Sequence, residues 1–128
     1  MASFDFGGIS AYKFGLAGLI AANTNSVAMD TQGFEGVAVV GVASTGTLSA
    51  TNNFSFNFLE SDDTNISNAT AVARIGTKAE IVATNSAVWT SVTPAKRYLF
   101  AQLIRGGDAS ANVAVLGAMG FPHDAPTQ

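Results

Sequence analysis

From Asn53 to Phe58 the chain alternates without a break: Phe54, Phe56 and Phe58 are separated by Ser55 and Asn57. A period of two belongs to a β-strand, whose successive side chains point to opposite faces, so three rings share one side and short polar groups the other. Such a strand needs an apolar layer facing it. The rest of the chain supplies further strands and no sustained helical period. Short β-favouring runs at 26–31, 34–43, 53–59, 69–75, 79–83, 87–92, 96–104 and 112–119 are divided by clusters of Gly, Asn, Asp, Ser and Thr. Pro94 ends the run at 87–92.

The runs differ in their faces. Val37-Ala-Val-Val-Gly-Val42 is apolar on both sides, which marks a strand in the middle of a sandwich. In 96–104, Leu99, Ala101 and Leu103 share one face while Tyr98, Phe100 and Gln102 share the other; in 112–119, Val113, Val115, Gly117 and Met119 line up. The expected fold is all-β: a two-sheet antiparallel sandwich, jelly-roll-like, of about eight strands. A chain of 128 residues, 48% apolar, is one domain with enough material for a core.

Residues 1–25 are expected to be an extended N-terminal arm, 26–120 the sandwich, and 121–128, with two prolines and no periodicity, an extended tail. The arm's apolar contacts would be Phe4, Phe6, Ile9, Tyr12, Phe14, Leu16, Leu19 and Ile20. Tyr12, Leu16, Leu19 and Ile20 fall at helical spacing, but Gly15 and Gly18 limit a helix there to a turn or two. A first strand of the core is the alternative. The apolar segment 14–22 is too short to cross a bilayer, and Asp5 with no early basic cluster argues against a signal peptide.

The residues that carry chemistry are scarce. The chain has no cysteine and one histidine, His123, which excludes disulfides, thiolate metal sites and multi-histidine sites. His123 beside Asp124 reads as an exposed tail histidine and not as half of a catalytic pair. Only 12% of residues are charged, the net charge is −3, and the six basic residues are scattered. Without a basic stripe, direct nucleic-acid binding is not expected; a neutral, apolar surface suits a chain partly covered by other protein. Glu60, Asp62 and Asp63 share one segment, read as a structural turn, with calcium as the alternative. Gly33, Gly36, Gly106 and Gly107 lack the Gly-Lys-Ser/Thr ending of a phosphate loop and read as bends. Asn53, Asn65 and Asn68 head Asn-x-Ser/Thr tripeptides from which no glycosylation is drawn. For Trp89, packing in the core or at an interface is preferred to a sugar-stacking platform. No catalytic residue, metal or cofactor is assigned, and the chain is not expected to be an enzyme. Its sheet edges are poor in blocking lysines and prolines, which leaves them open to cover by loops and the N-terminal arm or by a partner.

Four segments occur in order: Asp30-Thr-Gln-Gly-Phe-Glu35, Phe56-Asn-Phe-Leu-Glu-Ser-Asp-Asp63, Lys96-Arg-Tyr-Leu99 and Val113-Ala-Val-Leu-Gly117. This series resembles small proteins of tailed bacteriophages encoded among the head genes, whose pattern is close to D-T-x-G-[FY]-[DE], then Q-E-S-D-D, then K-R-Y-[LV]-R, and which decorate or cement the head. The resemblance covers residues 25–125. Asn57-Phe-Leu stands where a polar residue is usual before Glu60, and Phe100-Ala where a basic and aliphatic pair is usual. The resemblance implies a capsid decoration protein on the outer surface of the virion, bridging neighbouring copies of the major capsid protein and itself a dimer or trimer, with no membrane partner. The eight residues of the arm and Trp89 would make those contacts. The alternatives are a carbohydrate-binding or host-attachment module of the virion, and another phage part such as a head-tail connector or tail component.

Overall fold

A computed structural model describes residues 9–75 and 79–122. Their strands are β1 (Ile9–Ile20), β2 (Thr24–Asn25), β3 (Met29–Asp30), β4 (Phe34–Thr47), β5 (Phe54–Ser61), β6 (Thr70–Val72), β7 (Arg74–Ile75), β8 (Glu80–Ile81), β9 (Val88–Val92), β10 (Tyr98–Arg105) and β11 (Ser110–Pro122). All pairings are antiparallel. The first sheet runs β1-β11-β4-β9-β7; in the second, β10 and β5 are central, flanked by β2 and β3 on one side and by β6 and β8 on the other.

Treating β2 and β3 as one interrupted strand and setting aside the two-residue bridges β7 and β8, the orders become 1-8-3-6 and 2-7-4-5. This is the jelly-roll arrangement. The eleven strands exceed the expected eight because expected runs are broken where the chain changes partner. Run 69–75 divides into β6 in the second sheet and β7 in the first. The strand expected at 26–31 starts earlier, at Thr24 in the stretch expected as arm, and is interrupted because Ser26 pairs through its side chain. Its N–H donates to the Ala101 carbonyl at 2.8 Å, while its hydroxyl oxygen accepts the Ala101 N–H at 2.9 Å. The next amide, Val27 N–H, leaves for the Gly15 carbonyl of β1 at 3.0 Å, tying the two sheets at a corner.

The core lies between the sheets. Phe54, Phe56 and Phe58 are all buried, the last two with stacked rings 6.0 Å apart. They join one apolar cluster with Val37, Val39, Val113, Val115 and Met119 of the first sheet and with Leu99, Ala101 and Leu103 of β10. Burying each of these large side chains contributes about 1.5–3 kcal/mol.

Residues 9–20, expected within an arm, form the edge strand of the first sheet, the alternative reading of that stretch. Residues 1–8 of the expected arm and 123–128 of the expected tail, His123 included, lie outside the described residues. Strand β11 continues through Pro122, whose backbone still pairs with Phe34.

Three of the segments behind the phage resemblance meet at one end of the sandwich. Arg97 donates from Nε and Nη2 to the two Asp30 carboxylate oxygens at 3.1 and 2.8 Å. The Thr31 N–H and hydroxyl both donate to the Arg97 carbonyl, at 2.8 and 2.6 Å. Buried Glu60 accepts the Ala95 N–H at 2.7 Å. Asp30-Thr31, Glu60 and Ala95-Arg97 therefore form a clasp that holds the entry to β10, and their role is structural.

A candidate protein-binding face

Side chains that do not enter the core alternate onto the two outer surfaces, and these surfaces differ. On β5 and β10 the outward positions mix polar and apolar groups, Ser55, Asn57 and Gln102 with Leu59, Ile104 and the buried Phe100. On the first sheet the register builds four outward rows across the strands. One row is Tyr12, Ala118, Ala38, Ser91 and Ile75. The next is Phe14, Leu116, Val40 and Trp89. Then come Ala17, Ala114 and Val42, and last Leu19, Asn112 and Thr45. No row contains a charged residue. Tyr12, Phe14, Leu19, Trp89 and Ile75 are between 57% and 69% exposed, so the face is apolar and open to solvent. A sheet with one buried face ordinarily turns polar groups outward; apolar groups on both sides call for a second cover.

A bulge in β1 decides which apolar side chains reach this face. The register shifts between Phe14 and Leu16, so that Phe14 pairs with Leu116 and Leu16 with Val115. The extra residue is Gly15, where a β-carbon would lie 2.8 Å from the Val115 carbonyl oxygen. One added residue exchanges the faces of everything after it. Leu16 and Ile20 consequently turn into the core, at 8% and 7% exposure, and Leu19 turns out. The helical spacing of Tyr12, Leu16, Leu19 and Ile20 is thus the mark of a bulged strand. As partner-contacting residues Leu16 and Ile20 are corrected to core residues, because the bulge reverses their parity.

Of the other candidates, Tyr12, Phe14, Leu19 and Trp89 come together on the open face. Trp89 is 65% exposed, which removes it from the core and leaves the interface and sugar-stacking readings. Phe4 and Phe6 fall outside the described residues; Ile9 pairs through its backbone with Gly120. Sequence reasoning missed Val40, Leu116 and Ile75. The signal for the first was present in the two-faced apolar run at 37–42, which was assigned to the sandwich interior.

The face has relief. The row Phe14-Leu116-Val40-Trp89 stands up between two hollows. One, of about 410 Å³, is lined by Gly36, Ala38, Ile75, Ser91, Ala118 and Gly120 among others. The other, of about 240 Å³, is lined by Ala17, Val42, Ser44, Asn112 and Ala114 among others. Beyond the second, Asn112 Nδ2 donates to Thr45 Oγ1 at 2.8 Å and gives the face a polar margin.

The acidic segment after β5 is organised as a turn. Glu60 serves the clasp, while Asp63 Oδ1 accepts the Asn65 N–H at 2.9 Å and Oδ2 accepts from Asn68 Nδ2 at 3.1 Å. These bonds, the Asn65 amide first, hold the Asp63 carboxyl below the usual aspartate range. Asn65 in turn caps a short 3₁₀ turn at Ile66–Asn68 by accepting the Ser67 N–H. Among the described residues no three His, Asp or Glu side chains gather as metal ligands would.

No protein-family model matches the chain, and no curated protein matches it.

Proposed function

We propose that this chain is a structural protein of a tailed-phage particle, a decoration or cement protein that binds the outer surface of the head and links neighbouring subunits of the major capsid protein. The observation that carries the reading is the uncharged, apolar, solvent-facing side of the first sheet. A surface of that kind acts by being covered, and protein is the cover that its ridge and hollows suit. The order of the four sequence segments supports the phage assignment, and three of them meet in the clasp that shapes the fold. A cement protein works through area repeated over many copies: each bridge raises the effective concentration for the next contact, so modest contacts hold firmly.

A carbohydrate-binding role draws on the exposure of Trp89, but the row and hollow beside it offer few hydrogen-bonding groups, and sugar recognition needs several. A connector or tail component would use the same face at low copy number.

The test adds purified chain to undecorated heads of the phage whose genome encodes it and measures bound copies and the resistance of the heads to heat. Saturable binding at high copy number, with heads that open at a higher temperature, is the expected result. Binding confined to a few copies per particle would assign the chain to the connector or tail, and no binding would remove the virion role.

A further inference from the structure

We infer that the open face of the first sheet is covered by a second copy of this chain, the two packing face to face about a two-fold axis. The inference rests on reading that face as a protein contact and names its occupant. Three features of the face select a second copy.

The first is charge. The four outward rows contain no Asp, Glu, Lys or Arg, and Glu35, which lines the larger hollow, precedes them on β4 and is exposed, so laying the four rows on their own twin brings no like charges together and buries no unpaired ion. An arrangement in which the same patch meets itself has to satisfy this condition first.

The second is shape. The raised row Phe14-Leu116-Val40-Trp89 is next to the hollow lined by Ala17, Val42 and Ala114, one same-face step away, about 6.6 Å along the strands. A two-fold axis lying in the plane midway between the two sheets, parallel to the rows and passing between this row and this hollow, sets each copy's ridge over the other's hollow and pairs the four rows in reverse order. Two sheets then stack at about 10 Å, the separation at which side chains of facing sheets interdigitate.

The third is area. From Tyr12 to Leu19 the face is about 23 Å long, and it narrows from about 19 Å across five strands at the Tyr12 row to about 10 Å across three at the Leu19 row, at about 3.3 Å per residue and about 4.8 Å per strand. Allowing for side-chain relief, two such faces remove about 1,000 Å² from water, the lower bound for stable association.

Pairing through the edge of β1 is the competing way to join two copies, and the edge argues against it. Its register is broken by shifts between Ile9 and Ala11 and between Phe14 and Leu16, and the Gly15 carbonyl is already taken by Val27. Bulges of this kind are how exposed edges are kept from adding strands.

The experiment exploits Trp89, the chain's single tryptophan. Sedimentation velocity of the full chain over a concentration series, with Trp89 emission and acrylamide quenching on the same samples, is expected to show a monomer-dimer equilibrium in which emission moves to shorter wavelength and quenching falls as dimer forms. Phe14→Glu and Trp89→Glu, both at positions exposed in the monomer, should each weaken dimerisation more than about 100-fold by burying an unpaired charge, with unchanged circular dichroism. Asn57→Glu, on the outer face of the other sheet, should leave it unaltered.

A monomer with quenchable Trp89 up to millimolar concentration would overturn the inference, as would a dimer or trimer indifferent to both face variants. Head binding measured in parallel separates this from the proposed function. A persistent monomer that saturates heads and protects Trp89 there overturns the inference alone, with the shell as occupant; a face-to-face dimer that ignores heads supports the inference and defeats the decoration role.

Discussion

Gly41 of β4 and Phe56 of β5 meet across the two sheets so closely that a β-carbon on Gly41 would lie 2.7 Å from Phe56 Cζ and 3.1 Å from Ile81 Cδ1. The Phe56 ring is nearly fully buried and stacks on Phe58, so it has little room to withdraw. Gly41→Ala is expected to destabilise the fold by about 1–3 kcal/mol, the cost of overfilling a packed core. In a Phe56→Leu background the same change should cost less, and a double-mutant cycle in urea measures that coupling. Equal cost in both backgrounds would show that the ring is not what excludes the methyl group.

Thr90 faces the core from β9 at 3% exposure, and its hydroxyl has no hydrogen-bond partner among the described residues. A buried hydroxyl without a partner loses its hydration for nothing in return. Thr90→Val keeps the branched shape and removes that penalty, so the variant should be more stable by about 1–2 kcal/mol. Urea midpoints at neutral pH check it; a loss of stability would mean that the hydroxyl is bonded in the folded protein.

Asp30 governs part of the acid response. Its carboxyl is held below the usual aspartate range, first by the hydrogen bond from Arg97 and next by the Gln32 amide. A carboxyl with a lowered folded pKa stabilises the fold above its unfolded value, about 3.9, and that contribution is lost as the pH falls through the lower folded value. Asp63 titrates in the same direction. The Asp30-Arg97 pair is partly exposed, so salt weakens it and its worth is modest. Asp30→Asn should therefore unfold at lower denaturant than the native chain at pH 6, with the gap closing below about pH 4 and narrowing in high salt. A gap that is constant across pH would assign the loss to packing instead of charge.

The strand periodicity around Phe54, the two-faced apolar run at 37–42 and the one-sided row at 113–119 were enough to specify an antiparallel sandwich, because side-chain alternation is a local property of an extended chain. The same alternation named the inward residues of β5 and β11 and divided those of β10 into two faces, leaving open which one turns inward. It failed in β1, where the face of each residue depends on a bulge, and a bulge is set by how closely Gly15 approaches Val115 on a strand some hundred residues away. Sequence also identified Tyr12, Phe14, Leu19 and Trp89 as apolar groups in need of a partner. What only the tertiary structure decided is that they share one face with Val40, Leu116 and Ile75. Cross-strand register brings together residues far apart in the chain, and no local pattern encodes which outer surface of a sandwich will be left bare.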